Sequence, residues 1–404
     1  MRRKDLFQNF LLTLATLLLL LVAGEVLVRF CTDLSPPLLQ RDAELGMIFR
    51  PGTVRTITGP ESGREVTLRI SHDGFRTPDR PLAKPEDTIR VALIGDSQVA
   101  AVNTPAEATM AVLLEQELNR RYPLRHWEVF NFGVSGASTA QELVLYRKLV
   151  RRYDPDLVVL AYYNGNDFAD NSLRLSRKPG IYMDLAQGSE ELVVHRLSPE
   201  RRRLSNWLNA HSRLYVWQKH FVGDAINNFL AAGGAGHNRK MAGEFLVFVD
   251  EKGEPDLEWS WRINERILST FADEVAREQT IFFFLSIPHV LETTPGLWSE
   301  LLDLASGSKY EGKVDRLHPE RRLRAIVEDR GINHLFLRPA FEHHLRESDP
   351  ATPGYHLAYR QGLGHLNETG NRLMTETLLA ALAEQGIIAR LLQDGETGGR
   401  RPGE

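Results

Sequence analysis

The stretch Val91-Ala92-Leu93-Ile94-Gly95-Asp96-Ser97 places a short apolar run directly before a glycine and two polar residues. An uninterrupted apolar run that ends at a turn residue is typical of a strand buried on both faces of a parallel sheet. Residues 110–118 follow with apolar side chains at helical spacing. A strand and a helix in succession are the repeating unit of an α/β fold.

The same alternation continues towards the end of the chain. Further strands are predicted at about 127–132, 156–163, 281–287 and 334–337, and further helices at about 139–152, 263–277, 320–329 and 368–385. This pattern predicts a three-layer α/β/α domain with a five-stranded, mainly parallel, flavodoxin-like sheet. In such a fold, ligands bind beyond the carboxyl ends of the strands.

An apolar segment precedes this domain. Residues 6–28 are long enough to cross a bilayer as a helix, because about 20 apolar residues suffice. Glu25 is then expected near the far interface. Three cations precede the segment, which predicts a cytoplasmic N-terminus with the bulk of the chain on the other side. A cleaved signal peptide is the alternative, although no small-residue cleavage site is evident.

These patterns divide the chain into parts. We expect a cytoplasmic N-terminus with a membrane anchor at 1–33, an irregular lead-in without a core at 34–85, the α/β domain at 86–390 and a disordered tail at 391–404. A polar insertion at about 172–261 interrupts the α/β domain and holds four of the six tryptophans. Those tryptophans either pack the insertion onto the domain or stack on sugars.

Composition excludes several classes of function. Apolar residues make up 42% of the chain and charged residues 25%, which is the balance of an ordinary globular protein. The net charge of −4 provides no general attraction to nucleic acid. Cys31 is the single cysteine, which excludes an intramolecular disulfide and cysteine-rich metal sites. Neither a phosphate-binding Gly-Lys-Ser motif nor zinc-ligand spacing occurs, so no cofactor or metal is expected.

Polar residues follow three of the predicted strands and precede the last helix. Ser97 stands at a strand-to-loop corner, where an imidazole such as that of His365 can activate it. The backbone N–H groups of Ser97 and Gly136 and the amide of Asn166 can surround a developing oxyanion. His289, at another strand end, either contacts a substrate or caps and packs locally.

Taken together, the four sites resemble the SGNH/GDSL hydrolase superfamily, whose sequence blocks supply Ser, Gly, Asn and His in that order. The resemblance implies a nucleophile, two further oxyanion-hole groups, a catalytic base and three supporting residues, which fall on Ser97, Gly136, Asn166 and His365 and on Asp96, Asn131 and Asp167. The first glycine of the third block is replaced by Asn164. The run Asp73-Gly74-Phe75-Arg76 and the apolar segment resemble bacterial membrane-anchored members associated with envelope polysaccharides.

The resemblance implies an ester hydrolase of the bacterial inner membrane. Such a protein crosses the membrane once, with a cytoplasmic N-terminus and a periplasmic or extracellular catalytic domain. The expected substrate is a small acyl ester, most simply an O-acetyl group, on an envelope glycan. The expected partners are that glycan or another small acyl ester and the membrane, and nucleic acid is not expected. Acyl transfer to a polysaccharide and a catalytically inactive binding or assembly module are the alternatives.

One feature departs from the family pattern. The family usually places an aspartate two or three residues before the histidine, where it orients the imidazole. Gly362 and Leu363 occupy those positions here, and neither side chain can accept a proton. The expected substitutes are Asp349, Glu342 or Glu368, or else a backbone carbonyl in a Ser–His dyad. Loss of the acid favours the inactive module.

Overall fold

The computed structural model describes residues 3–32, 37–176, 178, 180–196, 203–219, 245–306, 309–352, 354–359 and 364–396. The chain forms two compact units. The smaller comprises Met1–Arg41 with Ser198–Met241, and the larger comprises Asp42–Leu197 with Ala242–Glu404. The smaller unit contains a stretch, Phe7–Cys31, that is long and apolar enough to cross a membrane.

The strands are β1 Leu39–Asp42, β2 Gly46–Phe49, β3 Val54–Thr58, β4 Glu65–Arg69, β5 Thr88–Gly95, β6 His126–Gly133, β7 Leu157–Tyr163, β8 Ile181–Leu185, β9 Leu192–Arg196, β10 Ile281–Ile287 and β11 Asn333–Phe336. The helices are α1 Arg3–Cys31, α2 Ser97–Ala100, α3 Met110–Arg121, α4 Thr139–Lys148, α5 Asp167–Asp170, α6 Arg203–His211, α7 Pro255–Arg277, α8 Val290–Thr293, α9 Pro295–Ala305, α10 His318–Asp329, α11 Arg338–Glu347, α12 Glu368–Glu384 and α13 Ile387–Glu396.

A five-stranded sheet forms the centre of the larger unit. Its strand order is β11-β10-β7-β5-β6, and every neighbouring pair is parallel. The predicted flavodoxin-like sheet is therefore confirmed. All eight residues of β5 are buried, as expected for a strand covered by helices on both faces. The carboxyl ends of β5, β6 and β7 lie at one edge of the sheet. The predicted site residues Ser97, Gly136 and Asn166 follow these three strands.

Helices cover both faces of the sheet. On one face, α3 and α12 pack against the strands through a continuous core that includes Leu114, Trp127 and Leu378. On the other face, the ring of Tyr146 in α4 lies 5.4 Å from that of Phe271 in α7. The Phe271 ring also lies 5.4 Å from that of Phe282 in β10. These contacts complete the predicted α/β/α layers.

The segment expected to be an irregular lead-in is ordered and contributes to the core. β3 pairs with β4 in an antiparallel hairpin. Val66 and Leu68 of β4 are buried while their neighbours in the strand are exposed. This period-2 alternation is the pattern of a strand with one buried face, but it covers only five residues and is easily overlooked.

Two predicted boundaries also differ from the structure. α7 begins at Pro255, so the end of the expected insertion belongs to a core helix, and its Trp261 is fully buried. Residues 391–396 continue α13, with Leu391 buried, rather than forming a disordered tail. The remainder of that tail, and 197–202 and 220–244 of the insertion, lie outside the described residues.

Candidate active site

Ser97 opens α2 directly after the central strand β5. Asp96 is the N-cap residue of this helix, and its Oδ1 accepts a hydrogen bond from the Gln98 N–H at 2.8 Å. The Ser97 hydroxyl lies 3.4 Å from Asp96 Oδ2. Ala101 ends the helix in a left-handed conformation with φ of 47°. The short helix thus presents Ser97 at the carboxyl edge of the sheet.

The end of β6 packs tightly against this short helix. A Cβ at Gly133 would overlap the backbone nitrogen of Ala100, so only glycine permits this approach. The Asn131 amide donates to the Val99 carbonyl at 2.8 Å, and its oxygen accepts from the Gly133 N–H at 2.9 Å. Asn131 therefore joins β6 to the helix that carries Ser97.

Gly136 and Asn166 follow the two strands that flank β5. Gly136 has φ of +78°, and no atom lies within 4 Å of the position that a Cβ would occupy. The space beside the Gly136 Cα is therefore open. Asn166 precedes α5, with its Nδ2 3.5 Å from the Ala137 carbonyl. Asp167 fixes the turn, because its Oδ2 accepts from the Tyr163 N–H at 2.7 Å.

Glu61 contacts His365 through both of its carboxylate oxygens. Glu61 Oε1 lies 2.8 Å from His365 Nδ1, and Oε2 accepts from the His365 backbone N–H at 2.8 Å. The side chain of Glu61 is 11% exposed and that of His365 is 30% exposed. Two-point attachment fixes the imidazole plane relative to its own backbone and favours the tautomer that carries its proton on Nδ1.

The prediction that Asp349, Glu342 or Glu368 replaces the missing aspartate was wrong. Glu342 accepts from Arg338 at 2.6 Å, and Glu368 accepts from Arg64 at 3.0 Å. Asp349 accepts from a backbone N–H within its own turn at 2.9 Å. The acid that reaches the histidine instead comes from a residue 304 positions away in the chain.

The tip of the β3–β4 hairpin positions Glu61. The turn is closed by the Gly59 N–H, which donates to the Arg64 carbonyl at 2.8 Å. The Glu61 N–H donates to Asn103 Oδ1 at 3.0 Å, which ties the tip to the loop after α2. Gly364 leaves room for the carboxylate, because a Cβ there would lie 2.5 Å from Glu61 Oε2.

Further contacts hold the His365 loop against the Ser97 helix. Gln98 Oε1 accepts from the Leu366 N–H at 3.0 Å, so the residues that follow Ser97 and His365 are directly bonded. Arg76, in the run Asp73-Gly74-Phe75-Arg76, is buried and donates to the carbonyls of Ala100, Ala101 and Thr104 at the end of α2. Burial lowers the pKa of Arg76 to about 10.

Three buried carboxyl groups, Asp96, Glu142 and Asp167, interact electrostatically close to Ser97. Burial is the main cause that raises the pKa of Asp96 to about 6 and the pKa values of Glu142 and Asp167 well above their usual range. Mutual repulsion among the three raises the pKa values of Glu142 and Asp167 further. Neither carboxyl oxygen of Glu142 has a hydrogen-bond partner within the described residues. Burial without a hydrogen-bond partner among the described residues therefore favours the protonated form of Glu142.

We expect Glu142→Met to change the pH dependence of stability. A carboxyl group whose pKa is raised by folding favours the folded state below its unfolded pKa of 4.5 and loses that contribution as the pH rises. The wild type should thus lose stability relative to the variant above about pH 4.5, by at most about 1.4 kcal/mol per pH unit. Urea unfolding of the full chain in detergent micelles measures this difference.

The exposed residue Glu376 on α12 provides the matched control. Glu376→Met removes a carboxyl group that stays in contact with solvent after folding, and it should change the unfolding free energy little. A Glu142→Met difference that stays constant between pH 4.5 and pH 8 would contradict a protonated Glu142.

His289 has a structural position. It is the N-cap of α8, where its Nδ1 accepts from the Leu291 N–H at 3.2 Å and its own N–H donates to Glu292 at 2.7 Å. The Asn164 amide donates to the same carboxyl group at 2.9 Å. The capping prediction for His289 is confirmed, and Asn164 ties β7 to α8.

A cavity of about 600 Å³ adjoins the His365 loop. Its walls include Gln98 and Tyr163 beside the strand ends, Pro288 after β10, and Gly364 and Leu366 on either side of His365. Within the described residues, no group of three or more His, Cys, Asp or Glu side chains is arranged to hold a metal ion.

Comparison with known proteins gives structural similarity only. No protein-family profile and no curated protein matches this chain. The structures that are similar include LAE5, an alpha/beta hydrolase enzyme from the metagenome of Lake Arreo, Spain, with 14% identity, a TM-score of 0.39 and coverage of 73% of this chain and 95% of that one.

Two acetyl xylan esterases are about as similar to this chain in structure as LAE5 is. AlAXEase has 15% identity and a TM-score of 0.38, and the match covers 73% of this chain and all of that one. Axe2 from Geobacillus stearothermophilus has 13% identity and a TM-score of 0.38, with 73% and 94% covered. Because similarity at this level carries no argument about function, the assignment rests on the residues of the site.

Proposed function

We propose that the protein is a serine-dependent ester hydrolase in which Ser97 is the nucleophile and His365 the general base. The observation that carries this proposal is the two-point contact of Glu61 with His365, at 2.8 Å to Nδ1 and 2.8 Å to the backbone N–H. A carboxylate on Nδ1 leaves Nε2 unprotonated, which is the form that can take a proton from a serine hydroxyl.

In the proposed reaction, the Ser97 hydroxyl oxygen attacks the acyl carbonyl while its proton passes to His365 Nε2. The Ser97 and Gly136 N–H groups and the Asn166 amide stabilise the oxyanion. His365 then gives the proton to the departing alcohol, which leaves an acyl group on Ser97. Water attacks this ester with His365 again as the base, and the products are a free acid and the regenerated serine.

The position of Glu61 also argues against the alternative of a catalytically inactive module. That interpretation depends on the absence of an acid before His365 in the sequence. A largely buried carboxylate supplied by the β3–β4 hairpin provides the same orientation from another part of the chain. Glu61 therefore supports an active enzyme, and we treat it as a positioning residue because it acts through the imidazole.

For the substrate we propose a small acyl ester, with O-acetyl groups on an envelope glycan as the main class. The resemblance of the four sequence blocks supports this class. The apolar stretch Phe7–Cys31 supports attachment to the bacterial inner membrane. Three cations before it support a cytoplasmic N-terminus and a catalytic unit on the opposite side.

The function is tested by ester hydrolysis with the full chain in detergent micelles. Nitrophenyl acetate, a long-chain nitrophenyl ester and an O-acetylated polysaccharide are offered as substrates, with and without an unmodified acceptor glycan. We expect release of free acetate that depends on Ser97. Modification of the acceptor that is faster than acid release would show a transferase, and no turnover of any ester would contradict the proposal.

We expect Asn166→Ala to lower kcat by about 10²- to 10³-fold with little change in KM, because an oxyanion donor acts mainly in the transition state. The matched control is Asn164→Ala, which removes an amide from the same turn that bonds to Glu292 instead of facing the site. Steady-state kinetics on nitrophenyl acetate separates the two variants. A change in KM with kcat unaffected would show that Asn166 binds substrate without stabilising an oxyanion.

A further inference from the structure

Glu25 is a charged residue within the apolar stretch Phe7–Cys31. Its carboxylate accepts from the Ser212 hydroxyl at 2.7 Å and from the N–H groups of Arg213 and Leu214 at 2.8 and 2.9 Å. Residues 213–219 are helical, so Glu25 caps the start of that helix. All of these residues belong to the smaller unit.

A second residue of α1 strengthens this contact. Arg29 donates to Glu25 at 2.7 Å and to the His211 carbonyl at the end of α6 at 2.8 Å. α1 thus makes polar contacts with the end of one helix and the start of the next. Both contacts lie close to the C-terminal end of the apolar stretch.

Burial confirms that one short face of α1 is in contact. Val28 is 7% exposed, whereas most other described side chains of α1 are exposed. A Cβ at Gly24 would lie 3.1 Å from Leu214 Cδ2, which shows how closely the two helices approach. Val216, in the helix that Glu25 caps, is 3% exposed.

The position of Glu25 along α1 fixes the depth of this contact in a bilayer. Glu25 lies 18 positions after Phe7, which is about 27 Å along a helix at 1.5 Å per residue. The hydrocarbon core of a bilayer is about 30 Å thick. If Phe7 lies at one boundary of that core, Glu25 and the helix it caps lie at the other.

The segment held there exposes large apolar side chains. Leu204 and Trp207 of α6 are 67% and 57% exposed, and Trp217 is 40% exposed. Exposed tryptophans are typical of the boundary between hydrocarbon and headgroups, where the ring is apolar and its N–H remains near water. Lys219, which is exposed in the same segment, suits an interface with phosphate groups.

We propose that residues 203–219 form an interfacial helical segment, which lies in the headgroup region of the bilayer at the end of α1 and inserts Leu204, Trp207 and Trp217 among the lipids. Glu25 holds the segment at this depth through its bonds to Ser212, Arg213 and Leu214. The inference rests on the membrane attachment proposed above, and its partner is the lipid surface itself.

Quenching of tryptophan fluorescence tests the inference. The full chain is reconstituted into phosphatidylcholine vesicles that contain lipid brominated near the headgroup or near the chain end, and iodide serves as the aqueous quencher. We expect strong quenching by the shallow brominated lipid. The double variant Trp207→Phe, Trp217→Phe should lose most of this quenching, whereas the control Trp298→Phe, in the larger unit, should keep it.

The outcomes separate this inference from the membrane attachment. A chain that does not float with the vesicles would contradict the attachment. A chain that floats, but whose Trp207 and Trp217 emission is quenched by iodide alone or by neither quencher, would overturn the interfacial segment.

Glu25→Ala tests the capping role. We expect it to reduce the shallow-lipid quenching, with Glu25→Gln retaining part of the effect because its oxygen can still accept one N–H bond. Unchanged quenching in Glu25→Ala would overturn the role of Glu25 in fixing the depth.

Discussion

Glu61→Gln is expected to lower kcat by about 10²- to 10⁴-fold while leaving KM almost unchanged, as when the orienting acid of a serine triad is lost. The His365 backbone N–H bonds to one carboxylate oxygen and needs an acceptor there. The amide oxygen of glutamine must therefore face that N–H, and its NH₂ group must face Nδ1. This forces the imidazole proton onto Nε2, where the base can no longer accept the serine proton.

The comparison variants separate this effect from a general loss of charge. Glu368→Gln removes a carboxylate that pairs with Arg64, on the same side of the structure, and should retain most of the activity. Glu61→Asp keeps the charge and should be intermediate, because its shorter side chain cannot satisfy both N–H groups at once. Steady-state kinetics measures all three, and equal losses for Glu61→Gln and Glu368→Gln would contradict the positioning role.

Ser97→Ala is expected to remove ester hydrolysis almost completely, by about 10⁶-fold in kcat, because no covalent intermediate can form. The fold should be preserved, since the cap of α2 depends on the Asp96 carboxylate and the Gln98 N–H, with no role for the hydroxyl. Single-turnover kinetics with nitrophenyl acetate measures the loss, with circular dichroism as the check on folding. His365→Ala should show a loss of similar size, and the double variant should lose little more.

Residual activity separates this mechanism from simple base catalysis. If Ser97→Ala retained a tenth or more of the wild-type rate, water activated by His365 would account for hydrolysis without a nucleophilic serine. Accumulation of an acetyl group on Ser97 in the wild type, detected by mass spectrometry, is the corresponding positive result.

The centre of the sheet could be predicted from the sequence because β5 and β7 are buried and contain uninterrupted apolar runs. Val91 to Ile94 and residues 157–163 are of this kind. The strand ends were predictable for the same reason, since a polar residue directly after such a run lies at the carboxyl edge of the sheet.

The acid that orients His365 could not be predicted in this way. Glu61 lies 304 residues before the histidine. A single glutamate in a turn belongs to no sequence pattern that would indicate a contact with His365. The available signal was the turn itself, because Gly59, Pro60 and Gly63 around Glu61 indicate an ordered hairpin tip. The short β3 and β4 strands provided too few residues for the alternation to be decisive.

The contacts of Arg76 with the end of α2 could not be predicted from the sequence either. The run Asp73-Gly74-Phe75-Arg76 could be recognised in the sequence, but its target is three backbone carbonyls at the end of α2. Every residue has a backbone carbonyl, so the sequence does not show which carbonyls accept hydrogen bonds from a side chain. The structure therefore connects the lead-in with the candidate site through two separate contacts, from Glu61 to His365 and from Arg76 to the end of α2.

The most direct test of the central claim is covalent labelling of the full chain with a fluorophosphonate, with the modified residue identified by peptide mass spectrometry. Wild type, Glu61→Gln, Glu368→Gln and His365→Ala proteins are compared at equal concentration and time. We predict rapid labelling of Ser97 in the wild type and in Glu368→Gln, much slower labelling in Glu61→Gln, and none in His365→Ala. Absence of label from Ser97 in the folded wild-type protein, or equal rates in wild type and Glu61→Gln, would contradict the proposed Ser97–His365–Glu61 site.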